Sequence, residues 1–119
     1  MVKVTLEFTG QARDINEFGF ALFEAESLGQ GSQKEIPGGG TLTMGPMIVR
    51  KAHGIPQVIT VLLSVGTSVG AGIASNYIYD KLKEHGGEKL TITINRREAR
   101  FEGGEIKTII EEEIKIKKT

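Results

Sequence analysis

Residues 58–83 read VITVLLSVGTSVGAGIASNYIYDKLK, and the interpretation of this stretch decides both the fold and the function inferred for the chain. No charged residue occurs from position 55 to position 79, although 25% of the chain is charged. Small residues alternate irregularly with large aliphatic ones. Three structures are compatible with this composition: a buried helix, a nucleotide-binding strand, loop and helix, and a membrane span.

The interpretation that we favour is one continuous helix over residues 58–79, enclosed by protein. Small residues such as Gly66, Gly70 and Ala74 would let this helix approach a sheet or a second copy of itself closely. Glycines inside a helix cost roughly 1 kcal/mol each relative to alanine, so close packing has to offset that penalty. The expected interaction residues are Gly66, Gly70, Ala74 and Tyr77.

The second interpretation is a strand at 58–65, a glycine loop, a helix, and a further strand at 90–94. This order resembles the first β-α-β unit of the short-chain dehydrogenases that bind NADP. In such a unit, glycines let the backbone approach the pyrophosphate, a helix N-terminus faces its charge, and arginine meets the 2′-phosphate. The resemblance implies a cofactor site made of Gly66, Gly70, Gly72, Arg96 and Arg97. The chain after residue 94 is too short to complete a doubly wound sheet, so we expect no cofactor.

The third interpretation is a membrane span over residues 58–79. At about 1.5 Å per residue, this uncharged stretch could cross roughly 30 Å of hydrocarbon as a helix. Its serines, threonines and glycines, however, make transfer into lipid less favourable than for a leucine-rich span. We therefore do not expect the chain to enter a membrane.

The N-terminal part of the chain predicts a strand followed by a helix. Residues 2–9 place apolar side chains at the even positions, which is typical of a half-buried strand. Asp14 is predicted to cap a helix over residues 14–27, with Glu17 completing a capping box. We expect this helix to pack on the sheet.

The middle of the chain begins with residues 29–40, GQGSQKEIPGGG, which predict a flexible, glycine-rich loop. Residues 41–49, TLTMGPMIV, predict a strand. Gly45 and Pro46 must lie at an edge or a bulge of that strand, because proline cannot donate to a strand ladder.

The C-terminal third predicts a hairpin and a helix. Residues 89–94 and 98–101 alternate on either side of a short turn, as the two strands of a hairpin do. Isoleucines then recur at helical spacing from Ile106 to Ile114, which predicts an amphipathic helix. Residues 114–117 alternate as well, so their conformation stays open between helix and strand.

These elements predict one small α+β domain over residues 1–119. Their order would be β-α-β-α-β-β-α, and their arrangement two layers, with a mixed sheet covered by helices on one face.

Composition limits the classes of function. The 15 basic and 15 acidic residues balance, so no overall field attracts nucleic acid or an anionic membrane. The chain has no cysteine, and its first residues do not have the pattern of a secretory signal, which favours the cytoplasm. His53 and His85 stand in no motif, and Glu111–Glu113 are expected to form a solvated helix face. We expect neither a metal site nor catalysis.

The order of elements over residues 2–113, with the helix ending in YDKLK and the strand pair LTITINRREARFEGGEI, resembles a known family. This is the family of effector-associated constant components of bacterial conflict systems, small companions of immune effectors such as proteases. The resemblance implies a non-enzymatic adaptor that holds a protein partner or forms homo-oligomers. It carries over no catalytic residue.

Overall fold

The structure is a computed structural model that describes residues 2–47, 57–66 and 70–118. Within them are six strands: β1 (Val2–Gly10), β2 (Gln33–Glu35), β3 (Thr41–Met47), β4 (Gln57–Val65), β5 (Thr91–Ile94) and β6 (Arg97–Ala99). The three helices are α1 (Ala12–Phe23), α2 (Ala71–Glu84) and α3 (Glu105–Lys118). The predicted α+β class is confirmed, whereas the predicted order of elements omitted β2 and β4.

The sheet has the strand order β2-β3-β4-β1-β5-β6, and every neighbouring pair is antiparallel. The prediction of a mixed sheet is therefore wrong. Strands β1 and β3 run in one direction with β4 between them, while β4 and β5 run in the other direction with β1 between them. Two interlocked split β-α-β units of this kind make the ferredoxin-like arrangement, to which β2 and β6 add one strand at each edge.

The predicted continuous helix over residues 58–79 is wrong, because residues 57–65 form β4 and the next helix begins only at Ala71. Strand β4 is paired along its length with β1 and also pairs with β3. Its odd-numbered side chains, Ile59, Val61, Leu63 and Val65, are all buried. This period of two, in a segment rich in β-branched residues, is that of a strand.

All three helices pack on one face of the sheet, as predicted, and a single core lies between the two layers. The strands contribute their alternate apolar side chains, and the helices contribute one stripe each. The core side chains with no measurable exposure include Val4, Leu6, Phe8, Phe18, Leu22, Leu42, Val61, Leu63, Ile78, Leu82, Ile94, Ile106, Ile110 and Ile114.

Helix α1 begins and ends earlier than predicted. Its N-cap residue is Gln11, which makes no side-chain capping bond, so the prediction of Asp14 as the cap is wrong. Asp14 lies instead in the first turn, where a carboxylate interacts favourably with the helix dipole. The helix ends at Phe23 because Glu24 adopts a left-handed conformation with φ 49°.

The segment predicted as a flexible loop contains β2, which pairs with the first three residues of β3. The turn between these strands is made by Gly38, Gly39 and Gly40, all with positive φ, a conformation that glycine adopts without steric cost. The predicted bulge at Gly45-Pro46 is confirmed, since the pairing of β3 with β4 shifts register between Met44 and Met47.

The C-terminal hairpin is confirmed as β5 and β6. They are joined by Asn95 and Arg96, which both have positive φ, as the two central residues of a type I′ turn do. The backbone N–H and the side chain of Asn95 also extend the β1 ladder through two 2.8 Å bonds to the backbone of Thr5. Residues 114–117 belong to α3, so the helical alternative is correct there.

Candidate functional site

The four residues predicted as one interaction stripe lie in different environments. Gly66 follows the last residue of β4, and Gly70 is the exposed N-cap residue of α2. Ala74 is completely buried in the core. Tyr77 is half-buried on α2 and donates a 2.8 Å hydrogen bond to the carbonyl oxygen of Leu22 at the end of α1. Gly66 thus lies outside the helix and Ala74 is enclosed by the core, so the four residues do not form the continuous exposed stripe that was predicted.

The nucleotide interpretation predicted the local order of elements correctly, but it was wrong about which strands are neighbours in the sheet. A strand, a glycine segment, a helix and a second strand do follow one another from β4 to β5. In a dinucleotide-binding unit the two strands are parallel neighbours, and the cofactor lies where the strand order reverses. Here β1 lies between β4 and β5. The crevice that such a cofactor needs is therefore not formed.

The first turn of α2 has an acidic neighbour from α3. One carboxylate oxygen of Glu111 lies 3.0 Å from the hydroxyl oxygen of Ser75, which also lies 3.1 Å from the carbonyl oxygen of Gly72. The positive end of the helix dipole thus faces a carboxylate of the chain itself. A pyrophosphate at this position would meet that negative charge.

The two arginines assigned to the 2′-phosphate are held apart from α2. Arg96 lies in the exposed hairpin turn. Arg97 forms a 3.2 Å ion pair with Glu112 of α3. Two members of the glutamate run therefore contact other elements, Glu111 with α2 and Glu112 with β6, and the prediction of a merely solvated face is corrected at these positions.

A polar cluster joins the end of α1 to α2 and β2. The carboxylate of Glu24 accepts bonds from Lys34 at 3.0 Å and from Lys81 at 3.1 Å, and these bonds hold the pKa of Glu24 below its usual value. The ammonium of Lys81 also lies 5.5 Å from the centre of the Tyr77 ring. Burial, followed by the charge of Glu24, raises the pKa of Tyr77 to about 12. We call this cluster the clamp, because its ion pairs and hydrogen bonds join α1, α2 and β2. Its polar groups bind one another.

We expect the stability of the protein to fall between pH 10 and pH 12 because of Tyr77. The pKa of this phenol is higher in the folded chain than its ordinary value of 10.0, so the stabilisation is fully present below pH 10 and is lost as the pH rises toward 12. Urea unfolding at several pH values should show a steeper decline for the wild type than for Tyr77→Phe. Equal slopes for the two proteins would contradict this assignment.

The remaining sequence candidates do not converge on a site. His53 lies outside the described residues. His85 ends α2, with its ring nitrogens 4.0 Å from Glu17 and 3.9 Å from Glu84. In the described parts of the chain, no group of three or more histidines and carboxylates could hold a metal ion. None of the helices described there is both long enough and apolar enough to cross a membrane.

The side of the sheet that faces away from the helices is a broad surface that takes no part in the core. We call it the open face, and no helix among the described residues lies on it. Its side chains are exposed or half-buried, although they belong to the same strands as the core. Seven of them are threonines: Thr5, Thr9, Thr41, Thr43, Thr60, Thr91 and Thr93.

Strand register arranges the open face into rows that run across the strands. The lysine row contains Thr41, Ser64 and Lys3. The middle row contains Thr43, Leu62 and Thr5. The glutamate row contains Thr60, Glu7, Thr93 and Glu98. Leu62, half-buried between two threonines, is the apolar centre of the surface.

Apart from Arg96 of the hairpin turn, which the nucleotide interpretation included, none of the open-face residues was predicted as a site from the sequence. The available signal was the alternation of β1, in which Lys3, Thr5 and Glu7 stand between buried apolar residues. That alternation shows that one side of β1 is polar. It does not show that the neighbouring strands present the same side.

The fold and this surface define an α+β sheet protein with helices on one face and a polar, threonine-rich opposite face. No protein-family model, curated protein or solved structure matches the chain at a significant level.

Proposed function

We propose that this chain is a non-catalytic protein-binding module and that the open face of its sheet is the binding surface. The observation that carries the proposal is that, among the described residues, helices cover the six-stranded sheet on one face only. Alternate side chains of β1, β3, β4 and β5 thereby form a continuous surface of threonine, serine, valine and leucine that also carries Lys3 and Glu7. Extended exposed surfaces that contain apolar groups commonly mark sites of association.

The chemistry of the open face favours protein over nucleic acid. Binding to single-stranded nucleic acid relies on aromatic side chains that stack on bases and on a groove lined by cations. The rows of the open face contain no aromatic residue. Their charged residues are Lys3, Glu7, Glu98 and, at the edge of the lysine row, Glu35, so the rows carry more negative than positive charge. Threonine methyl groups around Leu62 suit contact with another protein surface.

The adaptor role follows from the same proposal. The resemblance over residues 2–113 to effector-associated constant components supports a companion of a bacterial immune effector, acting in the cytoplasm. The shifted pKa values of Glu24 and Tyr77 arise from the clamp between elements, which serves the fold. An adaptor needs a surface that binds its partner and does not need a catalytic group. The open face could provide such a binding surface.

Site-specific photo-cross-linking in cells that naturally express the protein tests the proposal. A photoreactive amino acid at position 62, in the centre of the open face, is expected to give adducts of defined mass. The same amino acid at position 83, where Lys83 is exposed on α2, is the matched control and should give none. Adducts from position 83 alone, or from neither position, would contradict the assignment of the open face.

A further inference from the structure

We propose that the open face binds a second copy of this chain through a two-fold axis that passes along the middle row. This inference rests on the proposed function, because it assigns an occupant to the same surface. The argument comes from the distribution of charge on either side of the middle row.

Apart from Glu35 at the β2 edge, the charged side chains of the three rows are separated by sign across the middle row. Lys3 lies in the lysine row on one side, and Glu7 and Glu98 lie in the glutamate row on the other. Arg96 borders a shallow pocket together with Thr5, Glu7 and Asn95, so its side chain is on the open face. Because Arg96 follows Asn95, which pairs with Thr5, it lies beyond the middle row on the side of Lys3.

A two-fold axis between two stacked sheets, perpendicular to β1 and level with Thr5, makes this distribution self-complementary. The rotation places each strand over its own copy and exchanges the lysine row with the glutamate row. Lys3 then faces Glu7 of the second copy, and Arg96 lies beside Glu98 of the second copy. The middle row meets itself, so the two Leu62 side chains are in contact at the centre. Glu35, at the β2 edge of the lysine row, has no counterpart in this arrangement.

A two-fold axis that runs parallel to β1 and passes over it is less favourable. It would keep each row over its own copy, so Lys3 would face Lys3 and Glu7 would face Glu7, which places like charges opposite each other across the interface. Of the two axes that pass over β1, the perpendicular one is therefore the one that these charges favour.

The size of the surface predicts a weak, reversible dimer. The nine residues of β1 span about 30 Å, and four strands span about 19 Å, so each copy contributes roughly 550 Å² in projection. Both copies together bury on the order of 1,100 Å², which is at the lower end of specific interfaces. We expect a dissociation constant on the order of micromolar, which rises with salt because the pairs are exposed.

Charge reversal tests the pairing by sedimentation velocity over protein concentrations from about 1 µM to about 1 mM. Lys3→Glu and Glu7→Lys are each expected to raise the dissociation constant at least about tenfold, because each variant creates two like-charge contacts per dimer. The double variant K3E/E7K restores opposite charges in both contacts and should return to within about threefold of the wild type. Lys83→Glu, with the same change of charge on the opposite layer, should leave dimerisation unchanged.

Each other outcome overturns the inference. A monomeric wild type would show that the second copy is not the occupant, and a dimer insensitive to all four variants would show association through a different surface. A double variant as weak as the single ones would exclude the two-fold axis proposed here. Cross-linking from position 62 distinguishes these failures from failure of the proposed function. Adducts with a different protein would retain the open face as a binding surface, and no adducts would remove it. Unfolding midpoints of the exposed-site variants confirm that each remains folded.

Discussion

Phe18→Ala is expected to lower the free energy of unfolding by about 3–5 kcal/mol, the range typical of removing a buried aromatic ring. Phe18 has no exposed surface, and its ring centre lies 4.7 Å from that of Phe8 on β1. Alanine would leave a cavity between α1 and the sheet, and it would also remove the tilted ring pair. Domains of this size have a total stability of about 5–15 kcal/mol, so the loss is a large part of it. Urea denaturation monitored by circular dichroism measures it.

Phe20→Ala provides the matched control, because it makes the same substitution two residues further along α1. Phe20 is 40% exposed, so alanine at this position leaves no enclosed cavity. We expect a loss below about 1 kcal/mol. Equal losses for the two variants would mean that α1 does not pack on the sheet through Phe18.

The ring pair also connects the core to the open face. Phe8 stands between Glu7 and Thr9 on β1, and these two side chains point to the opposite side of the sheet. The packing of Phe18 against Phe8 therefore holds β1 in position, and with it the side chain of Glu7 on the other side of the sheet. We infer that α1 supports the open face from behind, although it contributes no residue to it.

The elements that could be predicted from the sequence are those whose two faces differ in polarity. In β1 the apolar residues alternate with Lys3, Thr5 and Glu7, and in α3 isoleucines alternate with glutamates and lysines. In both cases the period is visible because charged residues mark the exposed side. The β5–β6 hairpin was recognised for the same reason.

Strand β4 was absent from the favoured interpretation, although the nucleotide interpretation included it, because its two faces do not differ in this way. Its open-face residues, Val58, Thr60, Leu62 and Ser64, carry no charge, so they conceal the period of two formed by its buried residues. The uncharged sequence of β4 runs into that of α2, which made two elements resemble one long helix. An exposed strand face can be recognised from the sequence when it contains charged residues. A face made of threonine, serine, valine and leucine contains none, so it resembles a buried one.

The open face could not be predicted, because it depends on contacts between residues distant in sequence. Lys3 and Ser64 share a row only through the antiparallel register of β1 and β4. The registers of β1 with β5 and of β5 with β6 place Glu98 on the other side of the middle row from Lys3. Local periodicity determines which residues of one strand share a side, but it does not determine which strands are neighbours.

Gly87→Ala is expected to destabilise the protein by about 1–3 kcal/mol, the usual cost of overpacking a close contact. Gly87 is buried where the chain turns from α2 toward β5. A methyl group there would lie 2.8 Å from Cδ2 of Phe101 and 2.9 Å from Cβ of Leu82. It would also lie 3.0 Å from the carbonyl oxygen of Leu82, so the end of α2 would have to shift. The midpoint of urea unfolding measures the effect.

The glycines of the predicted nucleotide loop give the contrasting expectation. A Cβ atom at Gly70 would meet nothing within 4 Å, and one at Gly72 would make an ordinary 3.5 Å contact with Glu111. Gly70→Ser, at the N-cap of α2, is expected to stabilise the protein by a few tenths of a kcal/mol, and Gly72→Ala by about 0.5–1 kcal/mol. A backbone that must approach a pyrophosphate would not tolerate these side chains. Urea unfolding measures both changes beside Gly87→Ala as the close-packed control. A loss of stability in either variant as large as that of Gly87→Ala would contradict this expectation.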